Sequence, residues 1–123
     1  MANMINWFEI PVKDMSRAKK FYTAVLKKEL KQMPGMPEYE MYAFPWSQTE
    51  IGGALAAGKG YVPSQEGSIV YLNAEDGISA TVGRAEKAGG KVLVPKVDIG
   101  ENGFLAYILD TEGNKVGLHS PKA

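Results

Sequence analysis

The sequence predicts an α+β fold: two βαβββ modules whose curved mixed sheets surround a cleft. Three observations carry this. Ile5 to Leu26 changes from a period of two to a helical period within one stretch. The order strand, helix, then three strands recurs when the second half is laid on the first with an offset of 62 residues. Each half, at about 55 residues, is too small to bury both faces of its sheet alone.

The opening strand alternates, with Phe8, Ile10 and Val12 on one face and Trp7, Glu9 and Pro11 on the other. Ser16 is an expected N-cap. Ala18, Phe21, Tyr22, Val25 and Leu26 then recur at helical spacing, placing a helix near residues 16–27 that covers the Phe8/Ile10/Val12 face. Lys27 to Met33 reads as a short strand, and Pro34-Gly35-Met36-Pro37 as a loop. Glu38 to Phe44 alternates again. Glu50 to Ala57 is a glycine-bearing strand in which Gly52 and Gly53 suggest a bulge or close backbone approach. The first module is thus about 3–58, a Gly-rich linker about 59–66, and the second module about 67–123, in one domain spanning 1–123.

In the second module Ser68 to Ala74 is a strand and 78–88 a helix, capped by Asp76 or Ser79 and stopped at Gly89-Gly90. Lys91 to Val97, Gly103 to Leu109 and Lys115 to Ser120 supply three more strands, with Asp110 to Asn114 as a turn.

Composition narrows the function classes. Lys plus Arg and Asp plus Glu are 14 each, so no global field draws in nucleic acid or an anionic membrane. There is no cysteine, which excludes disulfides and thiolate metal sites. No apolar run approaches the ~20 residues of a membrane span, and no signal peptide is legible at the N-terminus. A cytoplasmic protein is the expectation.

Three stretches, WFEIPVKDMSRAKKFYTAVL, RAEKAGGKVLVPK and DTEGNKVGLHS, resemble the vicinal oxygen chelate superfamily of glyoxalases, bleomycin resistance proteins and ring-cleaving dioxygenases. The resemblance covers essentially the whole chain. It implies the glyoxalase/bleomycin resistance fold and, for a chain this short, a homodimer. Enzymes of the superfamily bind a divalent metal through His and Glu at four inner-face positions. Here those positions fall at Trp7, at Ile69 (or Ser68 with a one-residue slip), at Gly117 and, less securely, at Gly53. Trp7, Ile69 and the two glycines offer no lone pair, whereas a divalent metal needs several imidazole, carboxylate or thiolate ligands. The expectation is therefore no metal and no cofactor, which weighs against metal-dependent chemistry of the glyoxalase I kind.

Alternation puts Trp7 and Glu9, then Ile69, Tyr71 and Asn73, then Lys115, Gly117 and His119 on the cleft face, with Tyr39 or Tyr42 from the third strand. Trp7 either lines the cleft or fills the volume a metal would take. Glu9 is either bridged to a neighbour such as Lys115 or open to a ligand. His119 reads equally as a partly solvated edge histidine, and the Lys13-Asp14 and Asp110–Asn114 segments as turn chemistry. The expected function is small-molecule binding in the inter-module cleft through Trp7, Glu9, Gly53, Ile69, Tyr71, Gly117 and His119. The alternatives are a metal-independent isomerase, lyase or hydrolase using Glu9 as base and His119 as acid, and a structural or regulatory dimer with a filled cleft.

Overall fold

The computed structural model describes residues 3–34 and 38–123. Strand β1 (Trp7–Pro11) runs into helix α1 (Met15–Leu26), then β2 (Lys31–Gln32), β3 (Glu40–Ala43) and β4 (Gly52–Ala57). The order repeats as β5 (Tyr71–Asn73), α2 (Ile78–Lys87), β6 (Lys91–Asp98), a 3₁₀ turn (Gly100–Asn102), β7 (Phe104–Leu109) and β8 (Lys115–Ser120). The strands form two sheets, β1-β4-β3-β2 and β5-β8-β7-β6. In each, the first strand pairs parallel to the last and the remaining pairs are antiparallel. These are the two βαβββ modules with mixed sheets. The 35–37 portion of the expected loop lies outside the described residues.

Helix α1 buries Met15, Ala18, Phe21, Tyr22 and Val25, the stripe its periodicity prescribes. They pack with Ile10 of β1, Val12 just after it, Leu55 of β4, and Ile108, Val116 and Leu118 of the second module in one core. α2 adds Ile78 and Ala85. α1 therefore closes the face of the first sheet opposite Trp7 and Glu9, and α2 packs on the second sheet.

Several local expectations need correction. Asp14, not Ser16, caps α1: its backbone is extended and its carboxylate accepts from the Arg17 N–H at 3.0 Å. Neither Asp76 nor Ser79 caps α2. Gly77 precedes that helix at φ +106°, and the carbonyls of Lys122 and Ala123 accept from the N–H groups of Ile78 (3.3 Å) and Ser79 (2.9 Å). Asp76 is instead held by the two terminal guanidinium nitrogens of Arg84, at 2.8 and 2.9 Å. The 27–33 strand shrinks to Lys31–Gln32 because Lys27 turns out of α1 in the left-handed region at φ 58°. The 68–74 strand shrinks to three residues, although Val70 still accepts from the Gly117 N–H at 2.9 Å. Pro95 is accommodated in β6 because that strand is a sheet edge and shifts register between Val94 and Val97.

The Asp110–Asn114 turn does more than reverse the chain. The buried Glu112 carboxylate accepts from the N–H groups of Lys13 (2.9 Å) and Asp14 (2.8 Å) and from Arg17 Nε (2.7 Å). Asp110 accepts the Tyr22 hydroxyl at 2.6 Å, and Asn114 Nδ2 donates to the Pro11 carbonyl at 2.7 Å. The second module thus grips the β1–α1 junction of the first. Burial pushes the Tyr22 hydroxyl well above the usual phenol range, and the Asp110 charge pushes it further.

Candidate functional site

The module repeat fixes which positions are equivalent. Glu9 lies beside Ala54 in the parallel pair β1–β4, and Tyr71, 62 residues later, lies beside Gly117 in β5–β8. The first-module counterpart of Gly117 is therefore Ala54, not Gly53. Gly53 also points the wrong way: a Cβ there would strike the Phe8 ring, on the helix-covered face. Featureless small residues from Gly52 to Ala57 gave the sequence no means of fixing this register.

On the open face of the first module, Trp7 and Trp46 both crowd Gly52, with Trp7 Cζ3 2.8 Å and Trp46 Cδ2 2.9 Å from where a Cβ would stand. Trp46 meets Trp7 edge-on at 5.6 Å between centroids and is 47 % exposed. The two indoles thus stand together on this face, with Trp7 half-buried. Glu9 stands next along β1. Its Oε2 accepts from Trp7 Nε1 at 3.2 Å and its Oε1 from the Tyr61 hydroxyl at 2.6 Å. Donating to the carboxylate raises the Tyr61 phenol to about 12, with burial and the Glu9 charge adding to the effect. Tyr39 meets the Tyr61 ring at 5.5 Å, so Tyr39 is the tyrosine that joins this face. Tyr42 turns to the helix side under Lys19, whose Nζ is 3.8 Å from its ring centroid. Trp46 and Tyr61 were missed by the sequence reading. Both lie in segments that read as breaks, Pro45-Trp46-Ser47 and Gly58-Lys59-Gly60-Tyr61, where no periodicity assigns a face.

In the second module the Tyr71 ring covers Gly117, where any side chain would collide with it. Its hydroxyl bonds that of Tyr107, and this bond raises the Tyr71 phenol. Lys115 Nζ sits 4.8 Å from the Tyr107 ring centroid. The expected Glu9–Lys115 ion pair is absent among the described residues; Glu9 bonds Tyr61 and Trp7 instead. Both residues nevertheless contribute to the lining of one groove of about 130 Å³ between the modules, with Ser64, Glu66, Ser68 and Val70. Ser68 lies in this groove, whereas Ile69 is half-buried ahead of the β5 ladder. His119 is apart from Glu9: its Nε2 contacts the Asn102 carbonyl at 2.6 Å, and it lies on the other sheet. A larger opening of about 720 Å³ is lined by Phe8, Phe44, Trp46 and Leu72 and by the ion pair Lys28–Glu75 (3.1 Å).

The residues do not fit the divalent metal that the resemblance implies. The corrected set is Trp7, Ala54, Ile69 or Ser68, and Gly117; at most one hydroxyl stands where several imidazoles or carboxylates are needed. Trp7 and Tyr71 also lie over Gly52 and Gly117, so rings cover the sheet beside those positions. Among the described residues no three His, Asp or Glu side chains gather as a metal site, and no helix is long and apolar enough to cross a membrane.

Comparison with known proteins agrees with this architecture. Over 115 residues the chain is 31% identical to the Mycobacterium bovis protein called "Putative glyoxylase CFP32"; the match covers 92% of this chain and 44% of that one. The chain thus spans less than half the length of its curated mycobacterial relatives. Among solved structures, TnmS3, an antibiotic binding protein from Streptomyces sp. CB03234, superposes with a TM-score of 0.70 at 25% identity, covering 98% of both chains. A glyoxalase I mutant from Zea mays shares the fold, with a TM-score of 0.71 at 20% identity over 94% of this chain and 45% of that one. The family model matches residues 4–118, and the chain belongs to the Glyoxalase/Bleomycin resistance protein/Dioxygenase superfamily.

Proposed function

We propose that this protein binds a small planar cation on its ring-paved open face, without the divalent metal used by enzymes of the superfamily. The observation that carries the reading is the setting of Glu9. Its carboxylate is held by an indole N–H and a phenol O–H, each leaving lone pairs for a ligand, and it stands between the Trp7/Trp46 and Tyr39/Tyr61 pairs. An oriented acid flanked by aromatic faces favours a molecule with a cationic group and a planar ring over an anion or a neutral sugar. The antibiotic-binding description of TnmS3 supports the same class of role. Trp46, Ile51 and Tyr71 leave large apolar surface exposed in the single chain, and in this reading a second copy covers part of it as a homodimer.

A thermal-shift screen of planar cations such as proflavine, set against planar carboxylates of similar size, tests the proposal. A cation at about 100 times its dissociation constant should add about 2.7 kcal/mol of stability. Glu9→Gln should remove the shift while leaving the melting temperature of the free protein within a few degrees. If no cation shifts the wild type, or if Glu9→Gln binds as well, the proposal fails.

A further inference from the structure

Resting on that reading, we infer that the ligand is a zwitterion, with its cationic group on Glu9 and a carboxylate on Lys115 across the inter-module groove. Opposite charges that line one small groove would ordinarily join. Here each is engaged on its own side instead: Glu9 by Trp7 and Tyr61, Lys115 by the Tyr107 ring. No acidic side chain among the described residues lies within ion-pair distance of Lys115. Among the described residues its ammonium meets an aromatic face, a weaker partner than a carboxylate. The groove of about 130 Å³ holds the equivalent of about four waters, room for an ammonium and a carboxylate joined through a short carbon link. Ser68 and Glu66 also line the groove. The aromatic rings around Glu9 then receive the body of the ligand. The chemistry described is that of an amino acid with a planar side chain, or a molecule carrying the same head group.

Three matched probes separate the parts: L-tryptophan, tryptamine, which lacks the carboxylate, and indole-3-propionate, which lacks the ammonium. Calorimetry on the full chain should show L-tryptophan binding at least tenfold more tightly than either of the others. Lys115→Met should remove the advantage of L-tryptophan over tryptamine and leave tryptamine affinity unchanged. Glu9→Gln should weaken L-tryptophan and tryptamine alike. If L-tryptophan and tryptamine bind equally, or if Lys115→Met weakens both equally, the zwitterion inference is overturned while cation binding at Glu9 stands. If neither amine binds, and planar cations also fail the thermal-shift screen, both are overturned.

Discussion

Glu112 offers the sharpest quantitative prediction, because one buried carboxylate joins the two modules. Its side chain is fully buried, and burial alone would push the carboxyl up. The Arg17 bond, then the Asp14 and Lys13 N–H groups and the Thr111 hydroxyl, more than offset this and bring it down to about 2 from the ordinary 4.5. A carboxyl lowered that far stabilises the fold by about 3 kcal/mol at neutral pH. The Arg17 side chain is 50% exposed, so water screens part of this, and about 2 kcal/mol is the expected effect. The sign follows from the depressed value. The contribution is present above the ordinary carboxylate range and is lost as pH falls from about 4.5 towards 2. Urea unfolding of the wild type at steps from pH 7 to pH 3 should therefore show a loss that Glu112→Gln lacks. Glu112→Gln should be about 2 kcal/mol less stable at pH 7, with the difference shrinking towards pH 3. Parallel stability curves for the two proteins across that range would refute the role assigned to the carboxylate.

Three further outcomes follow from the same geometry. Tyr61 titrates near 12 because it donates to Glu9, so ultraviolet titration of Glu9→Gln should show one phenol returning towards about 10; an unchanged curve would mean that the bond does not form. Gly117→Ala should cost about 1–3 kcal/mol by forcing the Tyr71 ring off the sheet, and the cost should largely vanish in a Tyr71→Ala background, as denaturant midpoints would report. Size-exclusion chromatography with light scattering should give twice the 13.4 kDa chain mass; a clean monomer would rule the dimer out.

The sequence made the fold legible because two separate periodicities agreed with a repeat. Phe8/Ile10/Val12 and the Ala18–Leu26 stripe each specify one buried face, and the second module repeats the order. The site was legible only in part. Trp7 and Glu9 could be assigned because a strand of alternating large residues fixes its own faces. Gly53 was misplaced because Gly52 to Ala57 has almost no side-chain signal, so a one-residue slip costs nothing on paper and reverses the face. Trp46 and Tyr61 arrive from loops, where position depends on tertiary packing that no local pattern encodes. Lys115 was assigned the right face, but its partner turned out to be a ring 4.8 Å away. Tyr61 had already taken the Glu9 oxygen at 2.6 Å. The capping errors share one cause: the sequence offers several short polar side chains, and backbone conformation chooses among them, as Asp14 and Gly77 show.

The central claim is that this face works through rings and one carboxylate, not through a bound metal. Its most direct test is the affinity of chelator-treated protein for proflavine, measured by calorimetry before and after stoichiometric Zn²⁺ or Ni²⁺ is added. The account predicts one dissociation constant under both conditions, weakened at least tenfold by Glu9→Gln. Binding that appears only once metal is restored would contradict it.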